Sequence, residues 1–104
     1  MYYLLLYEVV DDYVSRRAPL REAHLRLAQE AVTRGQLILG GAFEDPVDGA
    51  ALVFHADDAS TVTDFVSRDP YVVAGLVTRW RIRRWNVVVG SQLANSVSSG
   101  AQQA

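Results

Sequence analysis

Two short stretches hold the residues best suited to chemistry. Arg17, Arg21 and His24 are spaced four and three apart, so a helix would carry all three on one face. Farther on, Ser67-Arg68-Asp69-Pro70-Tyr71 closes a second helical stretch with an acidic turn. A neutral imidazole accepts a proton, and a carboxylate on its other ring nitrogen fixes the tautomer and stabilises the imidazolium. Asp69 is the candidate carboxylate, because it ends the second helix where that helix would lie beside the first. Arg17 and Arg21 are candidate anion ligands, and Ser67, Tyr71 and Tyr3 candidate polar lining. Spacing alone also admits a plainer reading. His24 would then be a partly buried helix residue bonded to whatever lies near, and the arginines a solvated face.

Composition narrows the chemistry. A chain of 104 residues, half of them hydrophobic, makes one globular domain with a modest core. Its net charge of −2 gives no overall attraction to nucleic acid or membrane. All ten basic residues are arginine, which excludes a lysine base or Schiff base within the chain and leaves only permanently charged cations. Cysteine is absent, so disulfides, thiol nucleophiles and thiolate metal sites are excluded, in keeping with a cytoplasmic protein. The apolar opening Met1-Tyr2-Tyr3-Leu4-Leu5-Leu6-Tyr7 lacks a basic flank and is too short for a membrane span; it reads as a strand.

The elements that must position the candidate residues follow from periodicity. Residues 2–10 form a first strand, and residues 11–17 a polar connector. Pro19 suits a first helical turn, and Leu20, Ala23, Leu27, Ala28, Ala31 and Val32 give an apolar helical stripe that Gly35 terminates. Residues 36–44 and 50–56 form a hairpin about Asp45-Pro46-Val47-Asp48-Gly49, with a bulge expected at Gly40-Gly41. A helix follows over 60–67, then a helical turn over 71–76 after the break at Asp69-Pro70. A last strand runs over 79–89, with Trp80 and Ile82 on one side, Arg79, Arg81 and Arg83 on the other, and a bulge expected at Arg83-Arg84. The chain thus divides into a domain over residues 1–89 and a polar, mobile tail over 90–104.

The order is β-α-β-β-α-β: an α+β, ferredoxin-like fold with a four-stranded antiparallel sheet and both helices on one face. Nothing covers the other face, so a homodimer through the open sheet is expected, with Trp80 and Ile82 in its core and the arginines at its rim. The arginine–tryptophan strand resembles a nucleic-acid platform only superficially, since no basic excess supports it elsewhere. His55 has no second ligand at metal spacing, so no metal site is expected.

Three segments carry a family resemblance: Arg17-Ala18-Pro19-Leu20-Arg21-Glu22-Ala23-His24-Leu25, Asp69-Pro70-Tyr71-Val72-Val73-Ala74-Gly75-Leu76 and Trp80-Arg81-Ile82-Arg83-Arg84-Trp85-Asn86-Val87. Together they resemble the YciI-like (YCII-related) domain family over residues 1–89; Arg84 departs from it, standing where many members carry proline. The resemblance implies a dimeric α+β barrel with a pocket holding a His-Asp pair, here His24 and Asp69. It also implies relatives that act as dehydrochlorinases on chlorinated hydroxyquinols. The resulting expectation is a small enzyme without a cofactor, working by acid/base elimination or isomerisation on a small anionic, aromatic or enolic molecule. The alternative is a ligand-binding or accessory module of the same fold.

Overall fold

A computed structural model describes residues 1–91. The elements are β1 (Tyr2–Val9), α1 (Tyr13–Arg17), a 3-10 turn (Ala18–Leu20), α2 (Arg21–Thr33), β2 (Leu37–Ala42), β3 (Gly49–His55), α3 (Ser60–Arg68), α4 (Pro70–Val73) and β4 (Val77–Trp85). The four strands make one sheet in the order β2-β3-β1-β4, with every neighbouring pair antiparallel. This is the ferredoxin-like α+β arrangement that the hydrophobic pattern predicts. No helix among the described residues is long and apolar enough to cross a membrane.

The alternation along β1 sets the layers. Tyr3, Leu5 and Tyr7 are buried, and their cross-strand partners Phe54, Leu52 and Ala50 on β3 are buried with them. The helices cover this face through Ala31, Val62, Phe65, Val66 and Tyr71, with Phe65 edge-on to Phe54 at 5.2 Å. Leu4 and Leu6 point the other way, beside Val53 and Ala51, and are only half-buried. Period-2 strands under amphipathic helices leave this second face open.

Several details differ from the sequence reading. Residues 11–17 are not merely a connector, since Tyr13 opens a short helix and is 3% exposed. One buried aromatic there outweighs the polar residues around it. The register of β1 on β4 is regular from Tyr2↔Trp85 to Glu8↔Arg79, so there is no bulge at Arg83-Arg84; the irregularity falls between Glu8 and Val9. In β2 the shift lies between Leu37 and Leu39, not at Gly40-Gly41. β4 begins earlier than expected, at Val77, and ends at Trp85 rather than near residue 89. The expected tail falls almost wholly outside the described residues.

The faces of β4 are also reversed from expectation. Trp80 lies opposite Tyr7 and Ile82 opposite Leu5, which places both on the helix-covered face. Arg79, Arg81 and Arg83 lie opposite Glu8, Leu6 and Leu4, on the open face. Alternation alone tells which residues share a face, not which face meets the helices; only the register on β1 decides that.

Gly49 begins β3 directly beneath β1. A Cβ there would lie 2.6 Å from the carbonyl oxygen of Tyr7, a backbone atom that cannot move alone. Gly49→Ala is therefore expected to destabilise the protein by about 1–3 kcal/mol, as overpacking does. Urea unfolding checks this, and an unchanged midpoint would show that β1 and β3 can separate locally without cost.

Candidate active site

Asp69 is 0% exposed. A buried carboxylate is tolerated only when donors surround it. Pro70 holds Asp69 in extended backbone geometry, and Pro70 itself starts α4, where its lack of an N–H is harmless. The Asp69 side chain then caps α4, with Oδ1 accepting from the Tyr71 backbone N–H at 3.0 Å. The same oxygen lies 2.8 Å from Nδ1 of His24 on α2. Oδ2 accepts from the Tyr7 hydroxyl of β1, also at 2.8 Å. Two elements distant in sequence, β1 and α2, thus converge with the adjacent α4 on one carboxylate.

His24 is held by more than that bond. Its ring stacks on Tyr71 with centroids 3.9 Å apart and planes 12° from parallel. Tyr13 meets Tyr71 edge-on at 5.6 Å, and the Arg17 guanidinium lies 5.1 Å above the Tyr13 ring. With Nδ1 committed to Asp69, the other ring nitrogen, Nε2, remains for chemistry. The His24 side chain is 15% exposed, enough for a ligand to reach one edge.

These groups wall one side of a cleft of about 610 Å³, within the usual range for small-molecule sites. His24, Arg17 and Arg21 line it from the helical side; Gly40, Ala42 and Ala50 line it from the sheet. Small residues on the strands leave the space that the helices do not fill.

Of the residues singled out from sequence, the fold gathers His24, Asp69, Arg17, Arg21 and Tyr71 in one place. Ser67 is not brought there: it is exposed, and its hydroxyl bonds back to the Asp64 carbonyl oxygen at 2.7 Å. Tyr3 is buried elsewhere, with its hydroxyl near the Met1 sulfur. His55 is exposed and tilted against the Tyr2 ring. Among the described residues, no group of three or more His, Asp or Glu side chains is placed to hold a metal ion.

Sequence reasoning missed Tyr7 and Tyr13. For Tyr7 a signal exists only in part: it ends an unbroken apolar run, where a tyrosine is apt to be buried, and a buried phenol needs a partner for its hydroxyl. Burial, followed by the charge of Asp69, raises the Tyr7 pKa far above the ordinary phenol value, so it remains a proton donor to Asp69. Burial likewise raises that of Tyr71, with a smaller contribution from Tyr13 and opposition from Arg21 and Arg17.

The YCII-related domain model matches residues 1–86. The chain belongs to that family. Among solved structures, this YCII-related chain is similar to the 5-chloro-2-hydroxyhydroquinone dehydrochlorinase TftG from Burkholderia phenoliruptrix AC1100, determined in complex with 2,5-dihydroxybenzoquinone. That likeness has a TM-score of 0.71 at 22% identity, covering 83% of this chain and 94% of that one. A putative antibiotic biosynthesis monooxygenase from Deinococcus radiodurans is similar with a TM-score of 0.52 at 14% identity, covering 86% of this chain and 93% of that one. A NIPSNAP family protein from Agrobacterium tumefaciens gives a TM-score of 0.52 at 12% identity, covering 79% and 87% respectively. At these identities the likeness is one of fold. No curated protein sequence matches the chain.

The raised pKa of Tyr7 has a consequence for stability. Below the ordinary phenol value of 10.0 its contribution is fully present; it is lost as pH rises past that value, because the unfolded chain gives up the proton first. Tyr7→Phe should be less stable at neutral pH by about 1–3 kcal/mol, since Asp69 loses a donor. Above pH ~10 its stability should fall less steeply than wild type, by up to ~1.4 kcal/mol per pH unit. Urea unfolding across the alkaline range measures both; an identical alkaline slope would refute the coupling of Tyr7 to Asp69.

Proposed function

We propose that the domain is a small acid/base enzyme acting, without a cofactor, on a small anionic ring compound. The observation that carries this reading is the buried Asp69, whose Oδ1 meets His24 Nδ1 at 2.8 Å at the wall of an accessible cleft. In the neutral ring, Nδ1–H donates to Asp69 and Nε2 keeps its lone pair. Nε2 then takes a proton from an activated O–H or C–H of the substrate. Asp69 stabilises the imidazolium so formed, and Arg17 and Arg21 hold the substrate's negative charge. In an elimination, the electrons left by the proton expel a leaving group such as chloride; in an isomerisation, His24 returns the proton to another atom. A positioned acid/base group contributes roughly 10²–10⁴-fold, which suits such activated substrates. The dehydrochlorinase of the same fold makes hydroxylated, chlorinated rings the first compounds to try. Lack of cysteine is consistent with a reducing, cytoplasmic setting.

Chloride release from 5-chloro-2-hydroxyhydroquinone, and proton exchange into related enols, test the reading. Turnover should fall about 10²–10⁴-fold in His24→Ala. Turnover that survives this substitution would exclude His24 as the base; binding with no turnover in the wild type would favour the accessory-module reading.

The same proposal includes a homodimer across the open sheet face. There Leu4, Leu6, Ala51 and Val53 are half-buried, and Leu39 is 61% exposed. A second copy would cover this apolar centre, burying on the order of 2,000 Å² or more. Light scattering at micromolar concentration should give a dimer mass. Leu6→Asp should give a folded monomer, because Arg81 lies directly across from position 6 and can pair with the new carboxylate. A monomeric wild type would overturn the dimer.

A further inference from the structure

Tyr71 carries a polar atom that the acid/base pair does not use. The residue is 2% exposed and lines the cleft. Its backbone N–H is bound to Asp69, one ring face is stacked on His24, and Tyr13 meets the ring edge-on. Its hydroxyl, although buried, has no hydrogen-bond partner among the described residues. Buried polar groups are nearly always partnered, so an orphan of this kind calls for a reason.

The surroundings indicate what kind of partner would suit it. Arg21 and Arg17 both exert their charge on the hydroxyl. Neither arginine takes part in an ion pair among the described residues; Arg34, Arg81, Arg83 and Arg84 share that lack, but of the six only Arg17 and Arg21 line the cleft. A protonated phenol and two unpaired guanidiniums on one cleft wall are all donors. What satisfies them together is an acceptor carrying negative charge.

We propose that the Tyr71 hydroxyl is a binding group for the ligand, donating to a charged phenolate or enolate oxygen that Arg17 and Arg21 flank. This rests on the anion-binding reading above and adds to it the ligand atom recognised. The stacked geometry lets one planar molecule address both groups, its oxygen on Tyr71 and its neighbouring atoms on the imidazole edge. Absence of a protein partner for the hydroxyl is then the cost, in the free protein, of keeping a donor ready for the ligand.

Tyr71→Phe separates this from a structural role, since the ring and its stack on His24 remain. The probe is 4-nitrophenolate, whose absorbance reports its ionisation, with 4-nitroanisole as the uncharged control. Wild type should bind the phenolate in preference to the anisole. In Tyr71→Phe the affinity for the phenolate should fall about tenfold or more, the effect of one hydrogen bond to a charged group, while anisole binding stays the same. The thermal midpoint of the free variant should rise, because an orphan hydroxyl has been removed from the interior. Lower affinity with higher stability is a combination that a purely structural tyrosine would not produce. Unchanged phenolate affinity in Tyr71→Phe, with affinity lost in Arg21→Gln, would overturn the role of Tyr71 and leave the anion site standing. A lowered midpoint would also overturn it, by showing that the hydroxyl is already partnered in the free protein. Failure of wild type to prefer phenolate over anisole would overturn the anion-binding reading and this inference with it.

Discussion

A carboxylate with no solvent exposure is the constraint around which this small domain is arranged. Removing a charge from water costs several kcal/mol unless donors replace the lost hydration. Asp69 obtains them from β1, α2 and the first turn of α4. None of these is its neighbour along the chain except Tyr71, so the carboxylate is satisfied only when the sheet and the helices packed on it are in place. The same three contacts fix the orientation of the His24 ring. Stability and the proposed chemistry would therefore share one set of bonds, so that a change to either Tyr7 or His24 touches both.

The site is asymmetric in how it is filled. The helical wall is dense, with Tyr13, Tyr71 and His24 packed ring against ring. The wall formed by β2 and β3 sets Gly40, Ala42 and Ala50 beside Leu37, Leu39 and Leu52, and the small residues leave the cleft open there. Rings stacked in this way have little freedom to turn, so the imidazole presents one edge consistently. Arg17 and Arg21 sit at the same wall, which places positive charge where an anion would arrive.

Much of this was legible in the chain. The β-α-β-β-α-β order follows from periodicity, and the His24–Asp69 pairing from two motifs whose elements that order sets side by side. What alternation could not supply was which face of β4 meets the helices. Trp80 and Ile82 look like interface residues by composition, yet register on β1 turns them to the helical side. The α1 helix was hidden because a five-residue element has too few positions to show a period, and a single buried tyrosine decides its existence. Tyr7 was hidden for a different reason. The unbroken apolar run Tyr2-Tyr3-Leu4-Leu5-Leu6-Tyr7 shows no alternation that would give its phase, its partner lies 62 residues away, and only the assembled fold shows what its hydroxyl meets.

The central claim is that Asp69 holds His24 in one tautomer, with the proton on Nδ1 and Nε2 free. Long-range proton–nitrogen correlation spectra of the ¹⁵N-histidine-labelled protein observe this directly in the neutral ring. The account predicts a protonated Nδ1 and a bare Nε2 for His24, with Nδ1–H slow to exchange because its acceptor is buried. A neutral His24 with the proton on Nε2, or an average of the two forms, would contradict it.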